Sequence, residues 1–381
     1  MAATQSLREN CFLGACWELW ANRWLYYYLR GAVVVPVPPF SVNLEPTNVC
    51  NLRCPFCATR GPRRRGYLDF DLFAELAQQC AAWGVYQLAL FLGGESLLHP
   101  RLPEMIAHAR QLGLETILHT NAVKLTEECA EALLDAGLDL IHFSFDAEDP
   151  KTHEAMRVGS KYEETLGNIV RFLELKRERG VQRPVATLQL MRVLTSPRAE
   201  PKPVKPEFCA LFAHLPLDRL LIIRAHTWSG DIAGPVGKWG SYYPCRFAWN
   251  NLSVGWDGIV LGCCNDLNGK YVLGDARQAP LWEIWNGPAM RTMREALVTG
   301  NYHRLPACRT CDMLWQEEHP AWSYARSLRV FVPLRRFKAR VSAHLPFTAK
   351  TWGAQRSPEI TNSLCAVSAN RDVNNYPQAT D

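Results

Sequence analysis

From residue 41 to about residue 226, short apolar or β-branched runs alternate with longer stretches in which apolar positions recur every three to four residues. The short runs predict strands over 41–45, 87–92, 115–119, 140–145, 185–190 and 220–225. The stretches between them predict helices over 70–83, 102–112, 127–136, 163–179 and 206–215, several closed by a glycine such as Gly84, Gly113 or Gly180. Such alternation with right-handed crossovers sets helices outside a parallel sheet, so the class is α/β, and six strands suffice for a partial (βα)6 barrel. Near Thr227 the alternation gives way to Gly, Trp, Cys and hairpin signals such as Trp256-Asp257-Gly258. The expected division is a helical extension over 1–40, the barrel over 41–226, a smaller α+β domain over 227–345 and a loosely ordered tail over 346–381. The proline cluster from Pro197 to Pro206 reads as an exposed loop.

Composition narrows the class. At 381 residues with 48% hydrophobic and 21% charged positions, the chain is neither disordered nor a coiled coil. The net charge is only +5, and six basic side chains fall between residues 324 and 340: Arg326, Arg329, Arg335, Arg336, Lys338 and Arg340. That is a local basic stretch, read first as a solvated face and second as a site for an acidic partner or lipid, and no nucleic-acid partner is expected. Fourteen cysteines without a signal peptide fit a reduced, cytoplasmic protein better than a disulfide scaffold. The Trp- and Tyr-rich segment 11–28 is broken by Glu18 and Arg23, so it does not span a bilayer; packing on its own domain is favoured over membrane-surface contact.

Two cysteine sets carry the chemistry. Cys50, Cys54 and Cys57 stand as C-x3-C-x2-C just after the first expected strand. Three thiolates leave one position of a metal centre open, as in an iron-sulfur cluster that offers one iron to an exogenous ligand, and a zinc knuckle is the alternative. With Phe56 before the third cysteine, this segment resembles the motif of the radical S-adenosylmethionine (radical SAM) superfamily. Leu92-Gly93-Gly94-Glu95, followed by Pro100, resembles that family's second-strand motif, where the methionine amino group of SAM is held. The resemblance implies a TIM-like partial barrel, with Phe56, Gly93, Gly94, Glu95, Asn121, Ser144, Asp146, Arg157, Gln189 and Met191 around the cofactor at the strand ends. Arg157 then pairs with the SAM carboxylate. Read alone, Asn121 and Asp146 are also turn or helix caps, Arg157 a surface arginine, and Gln189 and Met191 core positions.

The second set is Cys245, Cys263, Cys264, Cys308 and Cys311, ending in a C-x2-C pair. It resembles the twitch relative of the SPASM domain, as does Pro280-Leu281-Trp282-Glu283-Ile284-Trp285-Asn286 with Arg291 and Arg294. The resemblance implies one auxiliary [4Fe-4S] cluster on Cys245, Cys263, Cys308 and Cys311, beside the SAM-binding [4Fe-4S] cluster; four thiolates also suit zinc. Cys264 either replaces Cys263 or stays a free thiol that returns a hydrogen atom. Cys11, Cys16, Cys80, Cys129, Cys209 and Cys365 read as incidental.

The implied reaction is reductive cleavage of SAM, fed by a flavodoxin- or ferredoxin-type donor, giving a radical that takes hydrogen from a carbon of substrate. Its outcome is oxidation, as in a dehydrogenase, or epimerisation. Arg224 and His226, with Arg192 and the run Arg63 to Arg65, are the candidate substrate groups, the run being more often solvated loop. Because only about 40 residues precede the first strand, a small polar substrate of carbohydrate or aminocyclitol type ranks first. A peptide- or protein-modifying maturase is the alternative, and a non-catalytic iron-sulfur electron-transfer protein the alternative of another class.

Overall fold

A computed structural model describes residues 22–192, 202–232, 240–316 and 319–321. The start of the aromatic segment, Cys11, Cys16, Cys365, the basic stretch after residue 324, the tail and the first half of the proline cluster lie outside the described residues.

The chain enters through α1 (Trp24–Leu29), then alternates β1 (Ser41–Leu44), α2 (Phe70–Trp83), β2 (Gln87–Ala89), α3 (Leu102–Gln111), β3 (Glu115–Thr120), α4 (Glu127–Asp135) and β4 (Leu140–Ser144). It continues with α5 (Pro150–Met156), α6 (Tyr162–Glu178), β5 (Val185–Arg192), α7 (Pro206–Ala210) and β6 (Arg219–Arg224). All six expected strands form, joined side by side in parallel in the order β1 to β6. Asp69 caps α2 by accepting the Asp71 and Leu72 N–H groups, which fixes that helix where the periodicity placed it. The sequence reading missed α5, whose seven residues are too few to show a period; Pro150 and the Asp149 cap on the Thr152 N–H set it. Leu88, Leu118, Ile141 and Leu188 point from the sheet into the main core under the helices. Their neighbours Ala89, Ile117 and Leu140 form a separate cluster with Phe91 and Val185 on the other face, as the period of two requires.

After β6 come β7 (Ser241–Tyr242), α8 (Phe247–Asn250), β8 (Asn251–Val254), β9 (Ile259–Leu261), β10 (Val272–Asp275), α9 (Leu281–Trp285), α10 (Pro288–Val298) and β11 (Trp315–Gln316). In this region β7 and β11 pair as a small antiparallel sheet of their own, Tyr242 opposite Trp315, while the other strands join the first sheet. β8 pairs in parallel with β1, Ser41 opposite Asn251, and β9 and β10 extend the sheet antiparallel to nine strands. The junction is polar: Asn43 Nδ2 donates to Asn251 Oδ1 at 3.3 Å and to Ser253 Oγ at 3.2 Å, and Asn251 Nδ2 returns a bond to Asn43 Oδ1 at 3.1 Å. β6 has no second strand neighbour among the described residues.

The N-terminal segment packs on the C-terminal part of the protein. Tyr28 lies edge-on to Trp249 and donates its hydroxyl to the Pro244 carbonyl at 2.9 Å. Asn286 bonds both the N–H and the carbonyl of Val35, and buried Arg294 donates to the Ala248 and Val33 carbonyls and to Asn286 Oδ1. No helix among the described residues is long and apolar enough to cross a membrane.

Candidate functional site

The loop after β1 brings Cys50, Cys54 and Cys57 together as free thiols. The Leu52 N–H donates to Cys50 Sγ at 3.4 Å, and the Cys57 N–H closes a turn on the Cys54 carbonyl at 3.3 Å. Burial first, and then Glu95 and the other two sulfurs, push the Cys50 thiol up to about 11; burial likewise raises Cys54. Three mutually repelling sulfurs in a poorly solvated loop are a set that a cationic cluster stabilises as thiolates.

Against this loop lies the turn after β2. Gly94 has φ +71°, and a Cβ there would stand 2.5 Å from the Thr47 carbonyl oxygen and 2.6 Å from that of Val49. Only glycine permits that approach. The Glu95 N–H donates to the Val49 carbonyl at 2.8 Å. The Glu95 carboxylate is buried and accepts from Thr120 Oγ1 (2.7 Å), the Asn121 N–H (2.7 Å) and the Leu97 N–H (3.1 Å). It therefore ties the turn to the end of β3. Asn121 Nδ2 reaches Asn51 Oδ1 at 3.0 Å and stands 4.0 Å from Cys50 Sγ.

At the ends of β4 and β5, Asp146 takes a left-handed φ of +73°, a conformation found mostly at turns and functional sites. Its N–H donates to the Gln189 carbonyl at 3.0 Å. Asp146 is 1% exposed; Oδ2 accepts from Arg157 at 2.5 Å, while buried Oδ1 has no hydrogen-bond partner among the described residues. Such an orphaned acceptor beside the cysteine loop fits a ligand with hydroxyl or amino donors. Burial opposes the Arg157 charge, but Asp146 and then Cys54 outweigh it and hold the guanidinium above its ordinary range. Arg157 also lies 5.7 Å over the Phe56 ring. Thus the arginine expected for the SAM carboxylate already pairs with Asp146. Gln189 bonds His142 Nδ1 at 3.0 Å instead of facing the strand ends, whereas Ser144 and Met191 are half-buried there.

Sequence reasoning missed an aromatic column below these residues: Phe91 contacts His119 at 4.0 Å between ring centroids, and His119 stacks on His142 at 4.5 Å. Burial pushes His119 down to about 3, so the imidazole is neutral. The only hint was two histidines at matching positions of neighbouring strands.

The second cysteine set also converges. Burial and then Cys263 and Cys245 push Cys308 and Cys311 well up, and burial and then Cys263 raise Cys245 to about 12. Cys263 is thus the sulfur felt by the other three, while the Cys264 thiol is hydrogen-bonded to it. Among the described residues no three His, Cys, Asp or Glu side chains are close enough to share a single metal ion. β6 exits toward this set: the Thr227 N–H and hydroxyl donate to Asp312 Oδ1 at 3.0 and 2.7 Å, next to Cys311. Burial pushes His226 down to about 4, and its Nδ1 accepts the Trp228 N–H at 3.1 Å. Arg224 ends β6, half-buried.

Within the arginine run, Arg64 fits the solvated-loop reading, while Arg63 and Arg65 are tied to the fold. Arg63 donates to Glu45 Oε2 at 2.7 Å, and Arg65 donates to the Asn48 and Thr59 carbonyls. Only Arg64 is exposed with its side chain unengaged by a hydrogen bond to the fold. Arg192 pairs with Glu148.

A family profile of the radical SAM superfamily matches residues 44–187, and one of the SPASM iron-sulfur cluster-binding domain matches residues 245–312. The chain carries a radical SAM domain followed by a SPASM domain. These domains bring a SAM-binding [4Fe-4S] cluster and an auxiliary cluster, which the two thiol sets and the orphaned Asp146 oxygen fit. The tungsten-containing aldehyde ferredoxin oxidoreductase cofactor-modifying protein of Pyrococcus furiosus is 24% identical over 316 residues, 71% of this chain and 86% of the relative. A PqqA peptide cyclase of Xanthomonas axonopodis pv. citri is 37% identical over 146 residues, so the match spans 38% of each chain. Streptococcus suis SuiB, solved bound to precursor peptide SuiA, shares the fold with a TM-score of 0.56 at 14% identity, covering 81% of this chain and 76% of SuiB.

Proposed function

We propose that this radical SAM enzyme is a maturase that modifies a peptide or protein. The observation that carries the reading is the 37% identity of its radical SAM half to a PqqA peptide cyclase. The fold it shares with the peptide-bound SuiB, through both domains, supports it. The sequence alone ranked a small polar substrate first; the peptide cyclase relative and the peptide-bound SuiB favour the maturase reading over it. A second reading, modification of a small cofactor, is favoured by the Pyrococcus furiosus relative, whose match runs through most of both chains.

In this reading Cys50, Cys54 and Cys57 hold the SAM-binding cluster, and Cys245, Cys263, Cys308 and Cys311 hold the auxiliary one. Bound there, the cluster supplies reductive cleavage of SAM and hence hydrogen abstraction from a substrate carbon. The backbone of Gly93 and Gly94 receives the cofactor, with Asp146 Oδ1, Ser144, Asn121 and Met191 around it. Glu95, Arg157, Phe56 and Gln189 act one layer behind, orienting the turn, Asp146 and the β4 end. Arg224 and His226 face substrate. Because His226 Nδ1 accepts a backbone N–H, its neutral ring carries the proton on Nε2 and donates. Cys264 stays outside the ligand set as a thiol able to return hydrogen.

The test is anaerobic turnover of the reconstituted protein with SAM, dithionite and synthetic peptides from reading frames beside its gene. A peptide mass change with matching 5′-deoxyadenosine is expected, and both vanish in Cys54→Ala. SAM cleavage that leaves every such peptide unaltered, while a small-molecule extract changes, would transfer support to the second reading.

A further inference from the structure

Glu45, one residue past β1, is 0% exposed and gathers donors from three separate segments. Its Oε1 accepts the Gly93 N–H at 3.0 Å and Arg63 Nη1 at 3.3 Å. Its Oε2 accepts Arg63 Nη2 at 2.7 Å and the Trp256 N–H at 3.1 Å. Arg63 in turn reaches past Glu45: Nη1 donates to the Leu267 carbonyl at 3.1 Å, three residues from Cys264, and Nη2 stands 3.7 Å from Asp257. The contact around the pair is tight. A Cβ on Gly66 would lie 2.3 Å from the Trp256 ring, whose Nε1 donates to the Arg64 carbonyl at 3.2 Å.

A buried carboxylate must be paired and have its lone pairs filled, yet one arginine alone would have satisfied this one. Here the same two oxygens serve the turn after β2, the segment after the first cysteine set and the hairpin between Cys245 and Cys263. A guanidinium is a rigid fork, so one Arg63 spans acceptors on two segments in fixed geometry, which a flexible ammonium does not. Any displacement of the Gly93 N–H alters the carboxylate that also fixes Arg63 and Trp256.

We infer that the Glu45–Arg63 pair is a positioning device that couples occupancy of the SAM-binding turn to the loop leading to and from Cys263. It rests on the reading that SAM docks at the turn 93–95. Arg63 acts through Glu45 and Leu267 and is a positioning residue, not a catalytic one.

Hydrogen–deuterium exchange on the anaerobically reconstituted holoprotein, with and without SAM, tests this. In the wild type, SAM slows exchange in peptides covering 93–98 and in those covering 255–268. In Arg63→Ala the protection of 93–98 persists while that of 255–268 falls about fivefold, the low end of a coupling between sites. Arg64→Ala, altering an exposed neighbour, behaves as wild type. If Arg63→Ala fails to load iron, Arg63→Lys replaces it, with the same selective loss expected because one ammonium does not reproduce the fork. Protection of 255–268 that survives in the Arg63 variant, or wild-type protection confined to 93–98, overturns the coupling while leaving the docking site intact. Protection at neither place overturns the docking site and the coupling with it.

Discussion

At the scale of single residues, the site depends on backbone that side chains would block. Gly94→Ala places a Cβ against two carbonyl oxygens at a positive φ, so a loss of about 1–3 kcal/mol is expected. Thermal unfolding checks the stability, and SAM titration of the loaded protein should show at least tenfold weaker binding. Gly93-Gly94-Glu95 was legible as a motif, but the use of Glu95 was not, since its partners Thr120 and Asn121 belong to another strand end. Glu115 offers a test by pH. Burial first, and then Asp139, push its carboxyl up to about 7, from an ordinary 4.5. The folded state therefore favours the protonated acid: that stabilisation is complete below pH 4.5 and is lost as pH rises through 7. At roughly 1.4 kcal/mol per unit, the loss is of order 3 kcal/mol at most. Glu115→Gln should unfold at a higher denaturant concentration than wild type at pH 8 and match it at pH 4.5.

At the scale of elements, periodicity located the longer helices and strands of the barrel well, because each shows which face is buried, whereas β2 and α7 end sooner than expected, at Ala89 and Ala210. It missed α5, which is set by a cap and a proline, and it gave no sign that β8 would join β1. The lacing of the N-terminal segment to α8, α9 and α10 was equally silent in the sequence. Arg294 holds that lacing: it is fully buried, lies 4.3 Å over the Trp285 ring, and serves three acceptors from separate segments. Arg294→Ala removes three bonds at a buried position and leaves the Ala248 and Val33 carbonyls without this donor, so a loss of about 3 kcal/mol is expected in chemical denaturation. Arg294→Lys should recover only part of it, since one ammonium does not reach all three.

At the scale of the whole molecule, Cys50 and Cys263 follow strands of one continuous sheet, yet the two cysteine sets should be separable in function. Cys54→Ala should lose the iron of one cluster and all 5′-deoxyadenosine formation. Cys308→Ala should lose the iron of the other and keep SAM cleavage, uncoupled from product; iron analysis and chromatography of the nucleoside distinguish the two. Sequence alone determined the βα alternation and both thiol sets, because local period and cysteine spacing are written within a few dozen residues. Tertiary structure alone decided that Arg157 pairs with Asp146, that Arg63 is engaged by Glu45, and that β8 of the second domain extends the first one's sheet. Those outcomes depend on which distant segment supplies a buried charge or an open strand edge with its partner, and a local pattern reports that a face is buried without naming what buries it.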